Sequence, residues 1–197
     1  MLQFSPEVRN AMLDAAETAT GTSPILEIRT GAPPANTAAV ATGTILCSMN
    51  LPADWMAAAS GGQKNISGTW QDASADATGT AGHFRIRQGS TCHAQGTVGV
   101  DLSLTTTVNA SINTNVLTFT STTGVANGAL VTGTGIPAGT VVLSFTSTTV
   151  NLSDAITSAI TSGSTITFSG DMSINTLSIV TGQQVSVNVY TLVAPNA

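Results

Sequence analysis

Charge is what this 197-residue chain most lacks: Asp, Glu, Lys and Arg make up 8% of it, against roughly 25% in ordinary globular proteins. Only five residues are Lys or Arg, and the net charge is −5. That excludes a usual nucleic-acid partner, because neutralising phosphates takes a cluster of cations. The densest basic pair, Arg85 and Arg87, stands beside Asp72 and Asp76 in this reading. Long apolar runs are missing too. Mean hydropathy is +0.28, yet nothing approaches the ~18 consecutive apolar residues of a membrane span. Glu7 and Arg9 interrupt the N-terminal segment where a secretory signal needs an unbroken apolar stretch. Neither membrane insertion nor export is expected.

Signatures of chemistry are equally sparse. Cys47 and Cys92 lack metal-ligand spacing and read as two buried free thiols, with a single bridge as the alternative. No G-x-S-x-G occurs. Asp72 and Asp76 invite a calcium reading, but the alternating ligands and closing Glu of a calcium loop are absent. They read as solvated or turn-capping carboxylates. His83 and His93 fall on adjacent predicted strands, without a third ligand placed to complete a metal site. The sequence therefore predicts no catalytic residue, no metal site and no cofactor, and hence a protein that is not an enzyme.

What remains is Thr, Ser, Ala, Gly and Val arranged for strands. Residues 4–20 read as the one convincing helix: Ser5 as N-cap, Pro6 at the first position, Glu7 at the positive end of the dipole and Gly21 as the stop. Phe4, Val8, Met12, Ala15 and Ala19 share one stripe, while Arg9, Asp14 and Glu17 point elsewhere. Such a short helix has to dock, on its own sheet or on a neighbouring subunit. From Pro24 the period becomes two, with Leu26 and Ile28 alternating with Glu27 and Arg29 in a half-buried strand. GAPPAN (31–36) is a loop, 44–51 a second strand, and 54–62 either one helical turn or an extended loop closed by Gly61 and Gly62. Residues 67–82 read as a strand followed by a small-residue loop. HFRIRQ (83–88), a tight Gly89–Ser90 turn and 91–100 form a hairpin.

Between Val108 and Phe168 there is no Lys, Arg, His or Trp, and the only acid is Asp154. Thr–apolar alternation predicts strands within 115–122, 128–135, 140–147, 149–154 and 162–169, punctuated by glycines that include Gly139. Two closing strands follow, 172–180 and one running to Val193. A strand at the C-terminus pairs most simply with the first domain. The expectation is a mainly β chain: an antiparallel, jelly-roll-like β-sandwich of residues 1–107 plus 169–197 with one N-terminal helix, carrying a small inserted β module at 108–168. Trp55 and Trp70 read as core or interface anchors. A surface of hydroxyls and amides suits a protein packed against neighbours in an assembly.

Several stretches support a resemblance: FSPEVRNAMLDAAET, ILEIRTGAPPAN, LPADWMAAASGG, SGTWQDASADATGTAGHFRI, TCHAQGTV and DMSIN…TGQQVSVNVYTL. They resemble a family of small structural proteins of tailed phages and prophages, over nearly all of 4–98 and 169–197. Ordinary members of that family pass almost directly from the TCH strand to the DM strand. The 108–168 stretch departs from that pattern and is similar to Thr/Gly-rich β segments of phage virion proteins. The resemblance implies a virion component made in the host cytoplasm, with the major capsid protein or other virion proteins as partners. It also implies a homo-oligomer, trimer or dimer, and transfers no catalytic residue. A capsid decoration or cement role leads, and a neck, tail or fibre-associated role comes second. A carbohydrate-binding module, with Trp55 or Trp70 as sugar platform, is an alternative of another class and requires exposed indoles. Attachment is expected through the helix and the 55–62 loop.

Overall fold

The computed structural model describes residues 3–99, 102–125, 128–137 and 140–194; Val100 and Gly139, part of the expectations above, lie outside them. In chain order the elements are α1 (Pro6–Thr20), β1 (Ile25–Thr30), β2 (Ile45–Asn50), β3 (Gln63–Asn65), β4 (Gln71–Asp72), β5 (Gly79–Gln88), β6 (Thr91–Gly99), β7 (Leu102–Thr105) and β8 (Val116–Thr118). They continue as β9 (Leu130–Thr132), β10 (Val142–Phe145), β11 (Thr149–Leu152), β12 (Thr165–Ser169), β13 (Met172–Ile174), β14 (Ser178–Ile179) and β15 (Val185–Val193). The protein is mainly β, antiparallel and sandwich-like, with one N-terminal helix. It divides into two compact units, Met1–Val98 with Met172–Ala197, and Gly99–Asp171.

In the first unit one sheet runs β2-β1-β5-β6-β13-β15-β3, with β14 on β5 and β4 on β15. Two long strands make the curl possible. β5 pairs with β1 and β6 through its later residues and with β14 through Gly79 and Thr80. β15 pairs with β4 at Val185 and with β3 at Thr191 to Val193. Register follows the alternation of side chains: Leu26 faces Ile86 and Ile28 faces Phe84 on the core side, while Glu27 faces Arg85 on the other. The core adds a chain of aromatics, Trp55 to Trp70 at 5.8 Å, Trp70 to Tyr190 at 5.7 Å and Phe84 to Tyr190 at 5.4 Å between ring centroids. Tilted and edge-on pairs of this kind add about 0.5–1.5 kcal/mol each beyond area burial.

Several expectations need correction. β1 is covered on both faces, not one, because the 31–43 loop lies over the polar side of the sheet. Within 67–82 the only strand residues before β5 are Gln71 and Asp72, and Trp70 precedes them. The strand expected at 172–180 is two short ones, β13 and β14. The unit boundary falls at 98/99 and 171/172 where 107/108 and 168/169 were expected. The cause is β7, which pairs with β12, Leu104 opposite Ile166 and Leu102 opposite Phe168.

The second unit builds its core from Leu117, Phe119, Val131, Val150, Ile166, Phe168 and their neighbours. Among the described residues its sheets run β10-β11-β8 and β7-β12-β9. Single bridges, Thr106 to Phe119 and Leu130 to Val141, join these sheets at both sides and close a ring. Closure leaves few free strand edges, which matters in a module with almost no charge to deter edge pairing. Its buried threonines are satisfied locally: Thr106 donates to the Thr161 and Ser164 carbonyls, Thr122 to that of Thr146 and Thr140 to that of Pro137.

The two ends of the second unit lie side by side: a Cβ on Gly99 would stand 2.5 Å from the Gly170 nitrogen. Replacing Gly99–Asp171 by an Asn-Gly turn is therefore expected to leave a first unit that folds cooperatively. Thermal unfolding followed by near-UV circular dichroism of the two tryptophans checks this. A product without a cooperative transition would show that the first unit depends on the second.

Candidate functional site

Two places in the first unit gather functional groups: the helix with the 55–65 hairpin, and the polar face of the sheet beneath the 31–43 loop.

The hairpin forms because Gly61 and Gly62, at φ 61° and 78°, permit a two-residue turn between Ser60 and Gln63, whose backbones exchange hydrogen bonds of 2.8 and 3.0 Å. The 54–62 stretch is thus an extended arm, not a helical turn. One row of its N–H groups faces outward and needs acceptors. The helix supplies them: Met56 N donates to Glu17 Oε1 at 3.1 Å, Ala59 N to Asp14 Oδ1 at 3.4 Å and Gly62 N to Asn10 Oδ1 at 2.8 Å. Lys64, 2% exposed, points into the same seam. Its ammonium lies 2.6 Å from Asp14 Oδ1 and 2.8 Å from Glu17 Oε2. Asn10, Leu13, Asp14, Glu17 and Thr20 recur at helical spacing, so the face that docks is a polar stripe with one leucine in it. At the ends Arg9 donates to the Ala194 carbonyl at 2.9 Å, and the Trp55 indole to that of Gly21 at 3.1 Å. At φ 78° Gly62 holds a backbone that other residues adopt only under strain, and a Cβ there would also displace the Arg9 guanidinium.

The opposite stripe is bare. Phe4, Val8 and Met12 are 37%, 44% and 44% exposed, and Ala15 and Ala19 are exposed as well.

On the polar face of the sheet, Glu27 is buried between two guanidinium groups, with Arg29 Nε at 2.8 Å and Arg87 Nε at 2.5 Å. Arg85 donates to the Thr37 and Ala39 carbonyls at 2.7 and 3.2 Å, and Gln95 to that of Pro34 at 2.6 Å. Fully buried His83 donates from Nδ1 to the Gly31 carbonyl at 2.9 Å. Burial, then the charges of Arg29 and Arg85, hold this histidine below its ordinary pKa against the pull of that carbonyl. Arg29, Arg85 and Arg87 line one cleft of about 740 Å³ with Glu27, Ile45 and the loop. Arg87 is thus neutralised by Glu27, not by Asp72 or Asp76. Asp72 instead caps a turn, accepting from Ser74 N at 2.9 Å and from Ser48 N at 3.2 Å.

The remaining singled-out residues are dispersed. Trp55 and Trp70 are 2% and 1% exposed, with both indole N–H groups bonded to backbone carbonyls, so neither offers a stacking platform for a sugar. His83 pairs with Thr97, and His93 sits in a bulge on the exposed side of β6, so the two do not form a site. Cys47 and Cys92 are both free, the first buried and the second half-buried. Burial, then Asp72 and Asp76, push the Cys47 thiol up to about 12, which keeps it an inert thiol near neutrality. Among the described residues no three His, Cys, Asp or Glu side chains converge to hold a metal, and no helix is long and apolar enough to cross a membrane. The Lys64 triad and the Glu27 clamp were not foreseen. Their one signal was carboxylates and cations spared in a chain that otherwise avoids them.

No protein-family model, no curated protein and no solved structure matches the chain.

The seam has a definite pH signature. Hydrogen bonding to Lys64 lowers the Asp14 pKa; that contribution exists above the unfolded value, about 3.9, and is lost as pH falls through the lower folded one. Burial alone would depress Lys64, but Asp14 and Glu17 outweigh it and raise it; that contribution exists below about 10.4 and is lost as pH rises through the folded value. Amide protection of α1 is therefore expected to be flat between about pH 5 and 9 and to fall on either side, as hydrogen exchange corrected for intrinsic rates would show. Lys64→Met is expected to cost about 1–3 kcal/mol in denaturant unfolding, mostly from leaving the Asp14 and Glu17 carboxylates without their counter-ion.

Proposed function

We propose that the chain is a structural component of a tailed-phage virion, in the first place a capsid decoration or cement protein that binds the major capsid lattice as a homo-oligomer. The observation that carries this reading is the bare apolar stripe of α1. A helix in a lone globular unit turns its apolar residues inward. Here the polar side is consumed by the 55–65 hairpin, and Phe4, Val8 and Met12 are left for a neighbour. The hairpin end on the other side of the helix, with Ala57, Ala58 and Ser60 exposed, is a second attachment point. The low charge of the chain agrees with a protein covered by partners. A neck, tail or fibre-associated position is the second reading, since the same stripe would serve ring assembly equally well. The carbohydrate-binding alternative loses its support with both indoles in the core.

Quantitative mass spectrometry of purified virions against the major capsid protein tests this. About one copy per capsid subunit, or one per three, fits decoration, and about six or twelve per particle fits a neck or tail ring. Absence from particles overturns the proposal. Because the stripe is exposed, Val8→Glu with Met12→Glu is expected to leave unfolding free energy within about 0.5 kcal/mol while abolishing incorporation into particles. Normal incorporation of the folded double variant would remove the helix from the attachment surface.

A further inference from the structure

The five cations of this chain are unevenly spent. Lys64 is matched by two carboxylates, and Arg9 is bound to the Ala194 carbonyl. The other three, Arg29, Arg85 and Arg87, line one cleft with a single carboxylate, Glu27, among them. In a chain of net charge −5 that cleft is a local excess of positive charge. Sheet register causes the concentration: Glu27, Arg29, Arg85 and Arg87 occupy alternate positions of β1 and β5, so all four project from the face away from the core. The loop closes one side, with Val40 and Ile45 as apolar walls.

The guanidinium groups are also incompletely used. Arg29 spends Nε on Glu27 and Nη1 on the Thr42 and Gly43 carbonyls, at 3.2 and 3.1 Å, and its Nη2 has no partner among the described residues. Arg87 spends Nε on Glu27 and Nη1 on the Gly89 carbonyl at 2.8 Å, and its Nη2 likewise has no partner among them. Arg85, 5% exposed, adds charge from beneath while its Nη1 and Nη2 hold the loop. Glu27 grips both Nε atoms and so fixes the two forks in place before any ligand arrives. The volume, about 740 Å³, falls in the usual range for small-ligand sites. Burial is the main cause of the depressed His83 pKa, and the charges of Arg29 and Arg85 add to it.

We propose that this cleft binds an oxyanion, a carboxylate or phosphate group, on the free Nη2 edges of Arg29 and Arg87 with Arg85 as supporting charge. With Nε and Nη1 of each arginine already engaged, one Nη2 from each would grip the group's two oxygens, a fixed two-point geometry that a lysine pair would not hold. The site is independent of the virion role: it needs only the first unit, and its test requires no particle. The ligand group has two natural sources, a free small anion or an acidic side chain of a neighbouring polypeptide.

The test is an NMR titration of the intact chain at low salt with inorganic phosphate, citrate and a short Glu-rich peptide, with chloride as control. Saturable shifts confined to residues 27–29, 37–45 and 85–92 are expected for at least one probe. The tighter of the peptide and the small anions identifies the source. Arg87→Gln is expected to weaken binding about ten-fold or more. Arg87→Lys keeps the charge beside Glu27 but loses the fork, and is expected to weaken binding without loss of fold. Absence of saturable shifts with all three probes, or equal affinity in Arg87→Lys and the parent, would overturn the proposal.

Discussion

An ammonium group inside a β-hairpin has to be neutralised where it stands, and Lys64 decides how the N-terminal third of this protein is arranged. Leaving it unpaired would cost several kcal/mol, so two carboxylates must reach it. Asp14 and Glu17 come from one face of one helix, three residues apart. Once they are committed, the rotation of α1 about its axis is set: Asn10, Leu13 and Thr20 turn inward with them, and Phe4, Val8 and Met12 turn out. The same carboxylates accept from Met56 and Ala59. The helix therefore also caps a strand edge that would otherwise offer unpaired N–H groups to another chain. A single buried cation couples edge protection to the exposure of an apolar stripe.

A parallel economy operates on the polar face of the sheet. Arg29 and Arg85 hold the 31–43 loop down through its backbone carbonyls, while Glu27 ties Arg29 to Arg87 and keeps the three cations close enough to form a positive cleft. Scarcity of charge makes both arrangements readable. With so few ionisable groups, each one found buried has a specific partner, and the field of one cluster is not blurred by others. The closed ring of the second unit solves the complementary problem, leaving few open edges among the described residues with hydroxyls in place of charges.

Much of this was legible in the sequence. The helix limits followed from Ser5, Pro6 and Gly21, since caps act locally. The alternation at Leu26–Ile28 and Phe84–Ile86 fixed which side chains meet the core, because strand geometry permits no other sorting. The Gly89–Ser90 hairpin was equally local. What escaped was non-local. The apolar pattern of α1 left its own sheet and a neighbouring subunit both open, because pattern reasoning ranks residues by hydrophobicity and cannot see that an edge of unpaired N–H groups prefers the carboxylates of the opposite face. Lys64, inside a Gln-Lys-Asn-Ile run, carries no sign of burial until its two acids are placed beside it. The boundary at Gly99 was missed because β7 earns its place only through β12, distant in sequence. The grouping of Arg29 with Arg87 depended on strand order, so the sequence suggested Asp72 and Asp76 as partners where the fold supplies Glu27.

The outward orientation of the helix stripe is the claim on which the account turns, and the methionines report it directly. Met12 lies on the stripe at 44% exposure, while Met49, Met56 and Met172 are buried in the core. In dilute monomeric protein carrying methyl-labelled methionine, a soluble paramagnetic agent should broaden the Met12 methyl resonance strongly and leave those of Met49, Met56 and Met172 sharp. A Met12 resonance as protected as the core three would mean that α1 docks through its apolar stripe, and that the Lys64 seam does not set its orientation.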